Sequence, residues 1–161
     1  MGFDFAGLVV GSLLGTLVMT TIMEGGQSLR LTRMSLPFIL GTWLTENRTW
    51  AKVWGFVFHF ANGVGFALGY GLFFEVVGRS DWWLGAVAGA LHGTFVLTVV
   101  LPILPDIHHR MAGEDEGPDP TPMLQPPGFL GLNYGVQTPL GAVLGHVVYG
   151  AIVGVFYRPL G

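Results

Sequence analysis

The stretch that decides the fold reads WWLGAVAGALHGTFVLTVVLPILP, residues 82–105, and its one ionisable residue is His92. A hydrocarbon core of roughly 30 Å needs about 20 apolar residues of helix to cross it, so this stretch is long enough to span a membrane. Residues 5–23 hold no charge, and residues 53–74 and 129–157 hold none apart from one histidine each. The sequence therefore predicts an all-α polytopic membrane protein with four transmembrane helices.

The composition agrees with a membrane environment. Of the 161 residues, 51% are hydrophobic and 11% are charged, against about 25% charged in a typical soluble domain. Four helices of this length leave little chain for anything else, so residues 1–161 are predicted to form a single membrane domain. The N-terminus lacks the basic region and cleavage site of a secretory signal, so the first run is expected to be a retained helix.

The composition also disfavours several classes of function. The chain has no cysteine, which excludes disulfides, thiolate metal sites and cysteine nucleophiles. Its net charge is −3, whereas nucleic-acid-binding domains carry an excess of positive charge, so no nucleic-acid partner is expected. The sequence shows no nucleophile motif, phosphate-binding glycine loop or pair of buried carboxylates, and we expect the protein not to be an enzyme.

The sequence contains one two-helix unit twice, in residues 5–78 and 82–158. In the first helix of each unit, an offset of 78 residues (85 − 7) aligns Gly7, Gly11 and Gly15 with Gly85, Gly89 and Gly93. In the second helix, an offset of 87 residues (146 − 59) aligns His59, Gly63 and Tyr70 with His146, Gly150 and Tyr157. Each unit has an even number of helices, so both enter the membrane in the same direction. We therefore expect a pseudo-twofold axis along the membrane normal.

In the first unit, helix 1 is predicted at about residues 5–27 and helix 2 at about residues 49–75, with Thr49 as its N-cap. Residues 29–47 are too short and too interrupted to span. They are expected to lie along the interface, because aromatic rings and cations favour the headgroup zone. The short link at residues 76–81 predicts that helices 2 and 3 form a tight antiparallel hairpin.

In the second unit, helix 3 is predicted at residues 82–104, where two prolines end it. Residues 106–128 are acidic and rich in proline, which predicts an exposed loop, and residues 128–133 are expected to form a second interfacial segment. Helix 4 is predicted to begin at Thr138, a cap followed by proline at the first helical position, and to end by Tyr157.

Glycines spaced four residues apart predict close helix packing. Gly11 and Gly15 of helix 1, and Gly89 and Gly93 of helix 3, are expected at helix–helix contacts with little exposure to lipid. The partner helix is expected within this chain, with a partner subunit as the alternative.

The distribution of positive charge predicts an orientation. The loops after helices 1 and 3 carry Arg30, Arg33, Arg48, Lys52 and Arg110, and the opposite side carries Arg79 and Arg158. The positive-inside rule places loops 29–52 and 106–138 in the cytoplasm and both termini outside it, for a multi-pass protein of the plasma (inner) membrane.

Three histidines near the middle of the predicted helices are the strongest functional signal, because an ionisable group at that depth is costly and normally faces a cavity or the bundle interior. His59 and His146 are equivalent in the repeat, and each has a glycine four residues on, so they are expected to face each other with room beside each ring. Such a pair could ligate a haem iron axially. It could also bind a metal ion with His92 as a third ligand, or one histidine could hold the magnesium of a chlorophyll-type pigment.

Two other interpretations of the histidines stay open. Each could be a neutral side chain that hydrogen-bonds across helices, with Asn62 or a tyrosine as its partner. The histidines could instead belong to a proton or cation route along Glu24, His59 and His92. If there is no such route, Glu24 and Glu75, which lie at the helix ends, are expected to be solvated.

Other residues give weaker signals. Met19, Met23 and Met34 could bind a soft metal, although methionines at such positions are expected to fill the core. His108 and His109 could form a peripheral divalent site with the acidic loop. Adjacent residues of an extended loop point apart, so we expect these two histidines to be solvated.

Three motifs are similar to those of a known family: Gly15-Thr16-x-x-Met19-Thr20, Gly85-x-x-x-Gly89, and Thr138-Pro139-Leu140 followed by His146-x-x-Tyr149-Gly150-x-x-x-Gly154. With them the chain resembles a family of small bacterial membrane proteins of unknown function. The resemblance covers most of the chain, implies four membrane helices and supplies no catalytic residue.

The sequence favours a non-catalytic subunit of a larger membrane assembly, in contact with the lipid bilayer and with other membrane subunits or further copies of itself. A small haem- or pigment-binding protein that uses His59 and His146 in electron transfer is the first alternative. A small transporter or channel is the second.

Overall fold

The computed structural model describes residues 3–113 and 123–160, and these residues contain four helices long and apolar enough to cross a membrane. We name them spans 1 to 4 in chain order: Phe5–Ser28, Arg48–Val77, Trp82–Ile107 and Thr138–Phe156. The described residues form no β-strand beyond an isolated bridge between Met111 and Leu124. The predicted all-α class with four membrane-crossing helices is therefore confirmed.

Polar side chains and one glycine define the ends of spans 1 and 2. The Asp4 Oδ1 accepts a hydrogen bond from a backbone N–H of the first turn of span 1 at 2.9 Å. Span 2 is capped by Asn47, whose Oδ1 accepts from the N–H groups of Thr49 and Trp50, so the prediction of Thr49 as the cap is wrong. Span 2 ends at Gly78, whose φ of +74° is the left-handed conformation that favours glycine.

Span 3 does not end at its prolines, as the sequence predicted, but continues to Ile107 through a π-helical turn. This turn, Val96–Val100, joins an α-helix at Trp82–Phe95 to another at Leu101–Ile107. A proline within a regular helix lacks an N–H and collides with the carbonyl one turn back. The wider turn just before Pro102 relieves that collision, which lets the helix pass the proline.

Span 4 lies between spans 1 and 3 and is the centre of the bundle. On one side Gly15 of span 1 sits so close to Tyr149 that an added Cβ would lie 2.9 Å from its ring. On the other side Gly89 of span 3 lies against the backbone of His146, and Gly85 lies against Gly150. The absence of side chains at these glycines is what lets the three helices approach closely.

The contacts depart from the twofold arrangement predicted from the repeat. The glycines spaced four apart in span 1 and those in span 3 all pack on span 4. A twofold axis that exchanges the two units would instead require span 3 to pack on span 2 in the way that span 1 packs on span 4. Within the described residues spans 2 and 3 make few close backbone approaches and meet mainly through aromatic side chains. The prediction of a tight hairpin between them is therefore wrong, and a cavity lies between the two spans.

The segments after spans 1 and 3 pack on each other at one end of the bundle. They contain a short helix, Leu36–Thr42, and a 3-10 turn, Phe129–Tyr134. The N–H of Arg33 donates to the carbonyl of Tyr134 at 2.7 Å. Thr138, the first residue of span 4 rather than its cap, shares a hydrogen bond of 2.7 Å with Thr32. The two segments therefore form one layer, and its place at the interface stays a prediction.

The predicted exposed loop at residues 106–128 is described only in part. Asp106 and Ile107 still belong to span 3, and Ala112 and Leu124 are joined by a backbone hydrogen bond of 3.0 Å. The acidic run of Glu114, Asp115, Glu116 and Asp119 lies outside the described residues.

Candidate functional site

A cavity of about 260 Å³ lies between spans 2 and 3 and is closed at the back by spans 1 and 4. Its walls are mostly apolar, and its polar side chains are those of His59, Asn62, His92, His146 and Tyr149. All three histidines that the sequence singled out therefore border one space. Exposed side chains flank it, among them Phe66 of span 2 and Ile107 of span 3, so the opening faces the surface that lipid would cover.

The ring of His92, on span 3, lies on the wall of the cavity and contacts side chains of spans 2 and 4. Its Nδ1 is 3.2 Å from the hydroxyl of Tyr70, and its ring centroid is 4.4 Å from that of Phe66. Its Nε2 is buried and has no hydrogen-bond partner within the described part of the chain. A buried polar atom without a partner costs free energy, and this nitrogen lies on a residue that lines the cavity.

The ring of His146 is fixed by its own helix. Its Nδ1 lies 2.7 Å from the carbonyl oxygen of Ala142. A carbonyl only accepts hydrogen bonds, so Nδ1 carries the proton and Nε2 of the neutral ring is an acceptor. Gly93 of span 3 provides the room, because a Cβ there would lie 3.0 Å from the His146 Cβ.

His59 is held differently from the other two histidines. It is 6% exposed, yet neither of its ring nitrogens has a hydrogen-bond partner among residues 3–113 and 123–160. It borders both the large cavity and a second, smaller one towards span 1. The residue therefore borders cavity space on two sides.

The structure corrects the expected pairing of the histidines. The two rings in contact are those of His92 and His146, with centroids 4.7 Å apart, rather than those of His59 and His146. Gly63 and Gly150 do not make room for imidazoles either. Gly63 lies against Thr16 of span 1 and Gly150 against span 3, so these glycines serve helix packing.

The described residues contain no group of three or more His, Cys, Asp or Glu side chains placed to hold a metal ion. His59, His92 and His146 therefore do not form the three-ligand metal site that the sequence allowed. Met19 and Met34 are buried in the two apolar cores, with Met23 packed beside Met34, as expected for core residues.

His108 is not solvated, as was predicted, but is 1% exposed. Its Nε2 donates to the carbonyl of Ile39 at 3.0 Å, and its Nδ1 accepts from the N–H of Arg110 at 3.2 Å. Both ring nitrogens are thus engaged with the protein, and the residue fastens the end of span 3 to the short helix Leu36–Thr42. His109, its neighbour, is exposed.

The carboxylates of Glu24 and Glu75, which were predicted to be solvated, accept hydrogen bonds from the protein. The Glu24 Oε1 accepts from Ser35 Oγ and from Gln27 Nε2, each at 3.3 Å. Glu75 accepts from the hydroxyl of Tyr157 and from the N–H of Leu160. Both carboxylates are therefore anchored at opposite ends of the bundle.

The π-helical turn is a feature of the site that sequence reasoning missed. Val96 and Val100, its first and last residues, both line the large cavity. Such turns occur frequently at functional sites. Pro102 was the available signal, but we interpreted it as the end of a helix.

The fold and the site define an all-helical protein with four membrane-crossing helices and a cavity bordered by three histidines. The chain matches no protein-family model, no curated protein and no solved structure. The resemblance to a family of small bacterial membrane proteins therefore stays a prediction.

Proposed function

We propose that this protein is a non-catalytic membrane protein that holds a small lipid-soluble molecule in the cavity between spans 2 and 3. One observation carries the proposal: His92 lines the cavity, and its Nε2 is buried with no hydrogen-bond partner in the described part of the chain. A ligand that bonded to this nitrogen would remove the cost of leaving it unpaired. The π-helical turn on the same wall supports a functional role for the cavity.

The walls indicate the chemistry of the ligand. Leu40, Trp43, Phe66 and Val100 supply an apolar lining, and the imidazoles supply polar atoms at one end. Binding sites for small molecules typically combine an apolar lining with a few polar groups that fix orientation. A molecule with an apolar ring and a carbonyl or hydroxyl group fits this combination, and it would enter from the bilayer.

The volume argues against a tetrapyrrole. Pockets for drug-sized ligands measure roughly 300–1,000 Å³, and this cavity measures about 260 Å³. A haem or chlorophyll would therefore require spans 2 and 3 to move apart. A single-ring ligand would not.

Trp43 on the cavity wall offers a direct test. A short-chain benzoquinone, which is apolar and absorbs excitation energy, serves as the probe with the protein in lipid nanodiscs. We expect saturable quenching of tryptophan emission that is lost in Trp43→Phe. His92→Phe keeps the aromatic bulk but removes the nitrogens. It should weaken binding about fivefold, as expected for about 1 kcal/mol of net hydrogen bonding.

The matched control is Leu91→Phe, since Leu91 is the neighbour of His92 and is exposed on the outer face of span 3. It should bind the probe as the wild type does. Quenching that rises linearly without saturation, or that is equal in the wild type and in His92→Phe, would refute a site at the histidine cavity.

A role as a subunit of a larger membrane assembly is the second candidate. Ala61, Gly65 and Gly69 lie on an exposed face of span 2, and no described atom lies within 4 Å of a Cβ added at either glycine. Small residues at this spacing let another helix approach closely. Gly65→Leu should then reduce recovery of partners, or of a homo-oligomer, when the tagged protein is purified in mild detergent.

We also propose that the protein lies in the plasma (inner) membrane with loops 29–52 and 106–138 in the cytoplasm, an orientation that the positive charges of these loops favour. The charge on Arg33 and Arg110 supports the proposal, since both lie in the layer at that end of the bundle. Reporter fusions at the C-terminus test it: an enzyme active only outside the cytoplasm should be active there.

A further inference from the structure

A second cavity lies beside the large one, towards the end of span 1, and shares lining residues with it. It measures about 30 Å³, which is room for an ordered water molecule, and its polar lining consists of Thr20, Glu24, Ser35, His59 and His146. His59 and His146 line both cavities. The small cavity is therefore bordered both by a carboxylate at one end of the bundle and by histidines near its middle.

Glu24 is fixed at the entrance to this path. It is half-buried, and its Oε1 accepts hydrogen bonds from Gln27 and Ser35. Gln27 lies in the last turn of span 1, next to the layer formed by the loop segments. The carboxylate can thus exchange protons with water on the loop side and still border the small cavity.

His59 lies on the wall of both cavities. It is 94% buried (100 − 6), and within the described residues its ring makes no hydrogen bond. Buried polar groups are nearly always bonded to protein or to ordered water. A water in the small cavity would occupy a space that His59 and Glu24 both border.

Beyond His59 the titratable side chains continue into the large cavity. His146 and Tyr149 face it from span 4, His92 faces it from span 3, and the Tyr70 hydroxyl of span 2 is 3.2 Å from the His92 Nδ1. Neither cavity has a Lys or Arg among its described lining residues. No fixed positive charge therefore opposes a proton on these groups.

On the far side of the large cavity, this row of titratable groups ends at a fully buried apolar cluster. Next to Tyr70 lie Phe74, Leu8 and Val153, each 0% exposed. They separate the histidine cavity from the pair formed by Glu75 and Tyr157 at the other end of the bundle.

We propose that protons move between the loop-side water and the histidine cavity through Glu24 and His59, and that the pathway is closed towards the other side by Phe74. At each step His59 takes a proton on one ring nitrogen and gives up the proton on the other, so no net charge accumulates. The pathway needs no bound ligand and goes beyond the binding function proposed above. It would let a ligand in the cavity gain or lose a proton from one side of the membrane only.

The test is to open the closed end. Liposomes containing the wild-type protein and an enclosed pH dye, driven by a potassium gradient with valinomycin, should leak protons no faster than empty liposomes. Phe74→Ser should raise proton flux several-fold, because it gives water a place between Tyr70 and Glu75. Phe73→Ser, at an exposed neighbour, is the matched control and should leave flux at background.

The pathway itself is tested by double variants. Adding His59→Phe or Glu24→Gln to Phe74→Ser should return the flux to background, because each removes a group that relays protons. Flux in Phe74→Ser that survives both additions would overturn the proposal, and so would a wild type that leaks or a folded Phe74→Ser variant that does not.

If Phe74→Ser fails to fold, accessibility gives an independent answer. The chain contains no cysteine, so single thiols can be introduced by His59→Cys and, in the apolar core, by Val153→Cys. Silver ions in the water should protect the first thiol from later maleimide labelling in denaturant and leave the second unprotected. Equal labelling of both thiols would overturn the proposal.

Discussion

The imidazole rings of His92 and His146 meet edge to face, with their centroids 4.7 Å apart and their planes at 79°. This contact joins span 3 to span 4, and the hydrogen bond between His92 and Tyr70 joins span 3 to span 2. One imidazole thus connects three helices around the cavity. His59, the repeat equivalent of His146, borders the same cavities, and its ring has no hydrogen-bond partner among the described residues.

This arrangement gives a clear expectation for haem. Axial ligation by His59 and His146 would require both rings to approach one iron, at a metal–nitrogen distance of roughly 2 Å. The cavity of about 260 Å³ is too small for a haem unless spans 2 and 3 move apart. We therefore expect no Soret band in the purified protein, with or without added haem. A Soret band that disappears in both His59→Ala and His146→Ala would contradict this and support the cofactor interpretation.

Packing of span 3 on span 4 should be sensitive to a single methyl group. Gly89→Ala places a Cβ against the carbonyl oxygen of His146, and backbone cannot yield as a side chain can. Overpacking of this kind costs about 1–3 kcal/mol, so the midpoint of thermal unfolding in detergent should fall. Gly69→Ala is the matched control, since no described atom lies within 4 Å of its added Cβ, and equal midpoints for the two variants would argue against close packing at Gly89.

Hydropathy predicted the four helices well because each must present about 20 apolar residues to lipid. Span 1 ends within one residue of its predicted limit, and span 2 starts within one. The predicted end of span 3 at its prolines was wrong, because a π-helical turn removes the steric clash at Pro102 and lets the helix continue. That compensation depends on the geometry of one turn, which a residue pattern does not encode.

The site was predicted only in part, for a different reason. Depth in the membrane identified the three histidines, and all of them border the cavity. The repeat identified which residues are equivalent, but equivalence does not determine which residues touch. His92 meets His146 because Gly93 lets span 3 approach span 4. The sequence predicted His108 to be solvated because its partner Ile39 is 69 residues away along the chain.

His108 should be a stabilising residue of the layer at the loop-side end. His108→Leu keeps the bulk but leaves the N–H of Arg110 without its acceptor and the carbonyl of Ile39 without its donor. Leaving such buried groups unpaired costs about 1–3 kcal/mol, so the unfolding midpoint should fall. His109→Leu, at the exposed neighbour, should change it little. A fall of the same size in both variants would show that the loss is not specific to the buried ring.

Tyr157 should make the protein less stable in alkali. Burial, together with the hydrogen bond to Glu75, raises the pKa of Tyr157 well above its ordinary value, which is about 10. Above that pH the unfolded chain releases the phenolic proton while the folded protein keeps it. The folded state then binds more protons, and stability falls as pH rises. The contribution of Tyr157 is fully present below about pH 10 and is lost progressively above it.

The comparison with Tyr157→Phe isolates this effect, because every other titrating group is common to both proteins. At about pH 8 the wild type should be the more stable of the two, since the variant leaves Glu75 without its hydroxyl donor. Between about pH 10 and pH 11 the difference between their unfolding midpoints should shrink. A difference that stays constant over this range would mean that Tyr157 ionises equally in the folded and unfolded states. Neither burial nor the hydrogen bond to Glu75 would then raise the pKa of Tyr157.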